Sequence, residues 1–123
     1  MKKKVVDSSS QSVLVLKFGG TSLAGGEAVG RVMDIICRQA RLSRVVAVVS
    51  AMAGVTDRLL ALGRDSLEGK KQKVEAGITY LRELHEETFT ALAPSADYRD
   101  WVQKFLDQQF AEIGAIAQGV ALL

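Results

Sequence analysis

The stretch VLVLKFGGTSLAGG, Val13 to Gly26, constrains this chain more than any other. Four apolar residues in a row, Val13 to Leu16, read as a strand covered on both faces, the arrangement found in parallel sheets. The strand runs into Lys17, then Gly19 and Gly20, then the hydroxyls of Thr21 and Ser22. Such a turn offers an ammonium, hydroxyl donors, and amides that a ligand can approach because no Cβ stands in the way. A helix is expected next, about Glu27 to Leu42, starting near Gly26 and pointing the free N–H groups of its first turn back at the turn. An anion would satisfy all of these groups. A tight turn with no ligand is the plainer reading of a glycine pair after a strand.

The order of residues narrows the choice. A Walker loop needs Gly-Lys-[Ser/Thr] after four intervening residues, and a dinucleotide fold needs Gly-x-Gly-x-x-Gly; neither pattern is present. Strand, turn and helix then repeat. Arg44 to Ser50, RVVAVVS, is the second apolar strand; AMAG turns the chain; a second helix over about Val55 to Leu67 carries Leu59, Leu60 and Leu62. Two such units predict a parallel pair of strands with a ligand beyond their carboxyl ends. In the second turn Ser50 ends its strand, Gly54 relieves the backbone, and Thr56 and Asp57 start a helix. Thr56 can give its hydroxyl to a small carboxylate or can cap the helix. Asp57 is a favourable charge in the first helical turn.

The first helix repeats Val29, Val32, Met33, Ile36 and Ala40 at helical spacing. Cys37 lies within that pattern and is expected to be a buried structural thiol. As a single cysteine it makes no internal disulfide and fits a reducing cytoplasm. The second half of the chain changes character. Lys70 to Ala93 places Val74, Ile78, Leu81, Phe89 and Leu92 on one stripe, APSAD breaks the pattern at Pro94, and Asp97 to Leu122 is helical again. A helical hairpin follows from that order. HEETF at His85 resembles the start of a zinc-protease motif, but position 89 is Phe89 instead of the second histidine. His85 is therefore expected to pack with a satisfied ring nitrogen, and Trp101, Phe105 and Phe110 to pack in the core or between helices.

Composition excludes some classes. Three of the 16 basic residues are Lys2, Lys3 and Lys4; without them 13 face 14 acidic residues, so no basic face for nucleic acid is expected. The longest nearly apolar run, Val45 to Val55, is too short to span a bilayer, and the N-terminus is not a signal peptide. Residues 1–12, with DSSSQS, read as a flexible leader with nothing to bury. With 48% hydrophobic residues, the remainder can build a core. GVALL at the end is apolar and uncapped, which reads as a truncation.

LKFGGTSL and VVSAMAGVTDRLLAL together resemble aspartokinase, in the amino-acid kinase superfamily. The first carries the Lys-Phe-Gly-Gly-Thr-Ser signature. The second carries the Ser-Ala-x-x-Gly-Val-Thr-[Asn/Asp] turn after the second strand, and the hairpin resembles the insertion that follows. The resemblance covers about Val13 to Leu123. It implies the N-terminal part of an α/β/α sandwich with parallel strands, truncated at 13–123, plus the helical hairpin. It also implies an activity for the complete protein. That is transfer of the γ-phosphate of ATP, carried with Mg²⁺, to the β-carboxylate of L-aspartate, the first step toward lysine, threonine and methionine. Lys17, Phe18, Gly19 and Gly20 would belong to the ATP site, with Lys17 neutralising charge on the transferring phosphoryl group, and Ser50 and Thr56 to the aspartate pocket. No protein-held metal is implied; a homo-oligomer is expected, and the chain alone is expected to be inactive. Two other readings are a non-catalytic phosphate- or partner-binding module and a related kinase acting on acetylglutamate or glutamate. The Thr56 turn argues against the second of these.

Overall fold

A computed structural model describes residues 12–123. The expected leader therefore falls outside the described residues, save Ser12. Strand β1 (Val13–Phe18) leads through a short 3-10 turn (Gly20–Leu23) into helix α1 (Gly26–Ala40). Strand β2 (Arg44–Val49) follows, then α2 (Val55–Leu67), α3 (Lys71–Ala91) and α4 (Ala96–Val120). The two strands are parallel and in register from Val13 beside Arg44 to Phe18 beside Val49. The α/β class, the parallel pair and the hairpin are as the sequence predicts. Strand β1 runs two residues further than its apolar core, because Lys17 and Phe18 still pair with Val48 and Val49.

Side chains alternate across a strand, so Val13, Val15, Val46 and Val48 share one face of the sheet with Lys17. That face is open: all four valines are exposed, Val15 by 61%. On the other face Leu14, Leu16, Phe18 and Val45 are half-buried, and α1 packs beside β2. The expectation of strands covered on both faces is therefore corrected for this chain. Continuous apolar runs state that both faces suit burial; here helices reach only one of them.

The main core lies elsewhere. Val55 and Leu62 of α2, Leu81 of α3, and Leu106, Phe110 and Ala117 of α4 form one buried cluster, with Leu81 only 1% exposed. Gly77 of α3 is buried against α2, where a Cβ would stand in ordinary contact with Leu62 Cδ1 at 3.6 Å. Buried Ser66 donates its hydroxyl to the Leu62 carbonyl at 2.9 Å, so no polar atom is stranded there. Helices α3 and α4 run antiparallel. Arg82 of α3 pairs with Asp107 of α4, and one turn further along α3 Glu86 accepts from Gln103 Nε2 at 3.2 Å. The reversal falls at Ala93, with φ 48°, just before Pro94. Proline disfavours the helical region in the residue before it, so the chain leaves the helix there.

Helix α1 is tied to α3 by a glycine. A Cβ on Gly26 would stand 3.0 Å from the Thr88 carbonyl oxygen and well inside contact with Ala91 Cβ. Several expected burials are corrected. Cys37 and Met33 are exposed, because α1 turns only its Ala28 and Val32 side fully inward. Leu59 and Leu60 are exposed while Leu62 is buried. Trp101 is 64% and Phe105 47% exposed, and only Phe110 of the three aromatics is in the core. His85 is as expected: Nδ1 lies 2.6 Å from the Leu81 carbonyl oxygen, and the ring meets Phe110 edge-on at 5.8 Å. Phe89, in the place of a second histidine, is half-buried.

Candidate functional site

The parallel ladder ends by holding two turns side by side. Phe18, half-buried on the covered face, accepts a hydrogen bond through its carbonyl from Ser50 N–H at 3.1 Å. This bond extends the pairing one step past β2, so Lys17-Phe18-Gly19-Gly20 and the Ser50–Gly54 turn leave the sheet together. Lys17 is exposed and shares the open face with Val48, its neighbour in register.

Gly19 and Gly20 have different reasons to be glycine. Gly19 is extended, φ −79° and ψ 172°, and a Cβ there would meet nothing within 4 Å. Its position leaves open space beside an exposed backbone. A Cβ on Gly20 would sit 3.3 Å from the Ala51 carbonyl oxygen and 3.8 Å from Ser50 Oγ. A side chain at residue 20 would therefore press on the second turn, which would have to give by a few tenths of an ångström.

The 3-10 turn that follows was not legible in the sequence. Gly20–Leu23 coils tightly, with Ser22 N–H donating to the Gly19 carbonyl at 3.0 Å, and Leu23 is buried as its anchor. Thr21 and Ser22 stay exposed. A lone leucine at 23 after two hydroxyls is the sequence signal that could have pointed to an anchored coil. Gly25, at φ 83°, then admits α1.

In the second turn, Gly54 occupies the cap position of α2 in the left-handed region, φ 82°. Glycine takes that conformation without a Cβ clash. Thr56 is therefore not the cap; it is the second residue of α2 and exposed, as is Ser50. Asp57 stands in the first helical turn as expected. Lys17, Thr21, Ser22 and Ser50 are thus exposed in two adjoining turns at the carboxyl ends of the strands, and Thr56 is exposed in the first turn of α2. Such a pair of turns suits a ligand with negative charge and several oxygen acceptors.

These turns are open rather than enclosed. A cavity of about 590 Å³ lies instead at the far end of the helical cluster, lined by Lys70, Val74, Ile78, Gly114, Ala117 and neighbours. A smaller one of about 350 Å³ lies between α2 and α3, where Arg58 stacks over the Tyr80 ring at 4.4 Å. None of Lys17, Gly19, Gly20, Ser50 and Thr56 lines either. At the rim of the larger cavity, the Lys70 ammonium holds the Glu68 carboxyl below its usual range, and Glu68 in turn raises Lys70. Both side chains face solvent, so this pair adds little to stability. Among the described residues no group of three or more His, Cys, Asp or Glu converges as a metal site. No helix among them is long and apolar enough to cross a membrane.

Comparison with known proteins agrees with the geometry. Residues 12–121 match the amino acid kinase family. An aspartokinase from Chlamydia pneumoniae is 34% identical over 119 residues, covering 89% of this chain and 26% of that protein. Lysine-sensitive aspartokinase 3 from Escherichia coli (strain K12) is 32% identical over 113 residues, with 89% of this chain and 24% of that protein covered. An aspartokinase from Rickettsia prowazekii is 40% identical over 67 residues, 52% of this chain and 15% of that protein. The chain spans about a quarter of the length of the first two of these relatives. With a matched segment that takes in both turns and all four helices, the chain belongs to the amino acid kinase family.

Proposed function

We propose that residues 13–123 are the N-terminal part of the catalytic domain of an aspartate kinase, preceded by the leader 1–12. The complete enzyme would transfer the γ-phosphate of ATP to the β-carboxylate of L-aspartate. The observation that carries the reading is that the two turns lie side by side: Ser50 N–H donates to the Phe18 carbonyl at 3.1 Å, and a Cβ on Gly20 would stand 3.3 Å from the Ala51 carbonyl oxygen.

In this reading the Lys17-Phe18-Gly19-Gly20 turn takes the phosphates. Lys17 supplies a point charge for the oxygens of the transferring group, and the open backbone at Gly19 lets the nucleotide approach. Ser50 and Thr56 hold the aspartate. The carboxylate is ionised at neutral pH and is itself the nucleophile, so the site needs no general base. What remains is positioning and neutralisation of developing charge, which an ammonium and oriented donors provide. Mg²⁺ belongs to the nucleotide substrate.

The test is hydroxamate trapping of aspartyl phosphate. The product of the complete reading frame containing this chain should form aspartyl hydroxamate only with ATP, Mg²⁺ and L-aspartate all present, and residues 1–123 alone should form none. Turnover of acetylglutamate or glutamate in preference to aspartate would move the reading to a sister kinase. No turnover of any acid by the complete product would leave a binding module in its place.

A further inference from the structure

Helices α2 and α3 border a groove that the turn site does not use. Arg58, Ala61 and Asp65 of α2 line it from one side, and Lys73, Ala76 and Tyr80 of α3 from the other, around a cavity of about 350 Å³. Each trio is spaced three and then four residues apart, so each forms one stripe along its helix. The helices run antiparallel. Arg58 lies over the Tyr80 ring at 4.4 Å at one end, and Asp65 comes within 3.9 Å of the Lys70 ammonium at the other. Ala61 and Ala76 leave the middle open. Small residues between helices make only a crevice; the charges at its ends make this one selective.

We infer that this groove binds a small phosphate monoester. Among the described residues neither Arg58 nor Lys73 forms a salt bridge. The lining side chains therefore set two unpaired cations against one carboxylate, and Asp65 already has Lys70 beside it. Arg58 and Asp65 are seven residues apart, about 10 Å along the helix axis. Lys73 belongs to the Asp65 end, so the two cations line the same cavity from opposite ends. Stacking on Tyr80 steadies the Arg58 guanidinium and leaves its in-plane N–H groups for a pair of oxygens. Lys73 brings a point charge, and Tyr80 a hydroxyl that can donate. A doubly charged group uses both cations, which favours phosphate over a single carboxylate.

The size agrees with an ester. The cavity, about 350 Å³, falls at the lower end of the range for small-molecule sites, about 300–1,000 Å³. It leaves room beside the phosphate for a short organic body over Ala61 and Ala76. Covering this groove with more protein would strip water from two cations that have no partner, which is costly. A dissolved anion meets them while their outer sides stay wet, since Arg58 and Lys73 are exposed. The groove differs in this from the apolar sheet face, which burial would favour.

Alanine-methyl NMR on the product of the complete reading frame tests this, with glycerol 3-phosphate and inorganic phosphate as probes. Glycerol 3-phosphate should shift the Ala61 and Ala76 signals saturably, with a dissociation constant of about 1 mM or below, and inorganic phosphate should bind more weakly. Arg58→Gln should weaken binding about tenfold or more, as loss of a charge-assisted hydrogen bond does, and Lys73→Gln about threefold or more. Both residues are exposed, so the variants should keep their circular dichroism and melting temperature. Lys17→Ala should leave the shifts unchanged, which separates the groove from the proposed ATP site. No saturable shift at about 20 mM ester, well above that dissociation constant, would overturn the inference. So would equal shifts from sodium chloride at matched ionic strength, or binding indifferent to Arg58→Gln and Lys73→Gln. Inorganic phosphate binding as tightly as the ester would overturn it too, because the organic body would then make no contact.

Discussion

The two ends of this molecule are built differently. The strands and their turns form a thin, one-sided sheet whose valines face outward. The three helices α2, α3 and α4 close around Leu81, Leu106 and Phe110 and bury them. Stability is concentrated in the helical cluster, whereas the groups suited to a ligand stand at the exposed sheet end. The sheet end is positioned by backbone pairing and by two glycine contacts, Gly20 against Ala51 and Gly26 against α3. A site of this kind can be inactivated without being unfolded, and the scaffold can be unfolded by residues far from the site.

The difference should show most strongly in the core. Leu81→Ala is expected to cost about 2–5 kcal/mol, the range for emptying a fully buried leucine. Val15→Ala, on the open sheet face, should change stability by less than about 0.5 kcal/mol. Urea denaturation of both variants compares them directly, and similar losses would mean that the sheet face is covered in solution.

Gly26→Ala probes the joint between the two regions. The added methyl has Thr88 O and Ala91 in its way, and overpacking of this kind costs about 1–3 kcal/mol. A melting temperature equal to that of the wild type would show that α1 is free to move off α3.

The smallest expected effect on folding is at Gly19. Its backbone conformation suits any residue and its Cβ position is empty, so Gly19→Ala should leave stability within about 0.5 kcal/mol. In the complete enzyme the same methyl intrudes on the proposed phosphate path and should raise the KM for ATP. An unchanged KM would remove Gly19 from the site.

Much of the architecture was legible in the chain because it rests on local pattern. Apolar runs beside glycine turns mark strands, the helical stripe of α3 marks its buried side, and Pro94 marks the reversal. Exposure was less legible. Periodicity tells which residues share a stripe but not how wide a neighbour covers it, so Cys37, Met33, Leu59 and Trp101 carry apolar side chains into solvent. In the site, the charged and hydroxyl residues could be read from their order, and the roles of Gly20 and Gly26 could not. A glycine needed for close approach is defined by what it approaches, and Ala51 and Ala91 are 31 and 65 residues away in sequence. Thr56 shows the same limit: its spacing allowed a helix cap, but Gly54 takes that position through its left-handed backbone.

The central claim is that the Lys17 turn performs the phosphoryl chemistry while the helices only support it. Steady-state turnover of the complete enzyme with Lys17→Ala tests it most directly, with circular dichroism and melting temperature as controls. Loss of a single electrostatic stabiliser should lower kcat by about two orders of magnitude or more with the fold intact. Turnover within about threefold of wild type, far short of what that loss costs, would contradict the account.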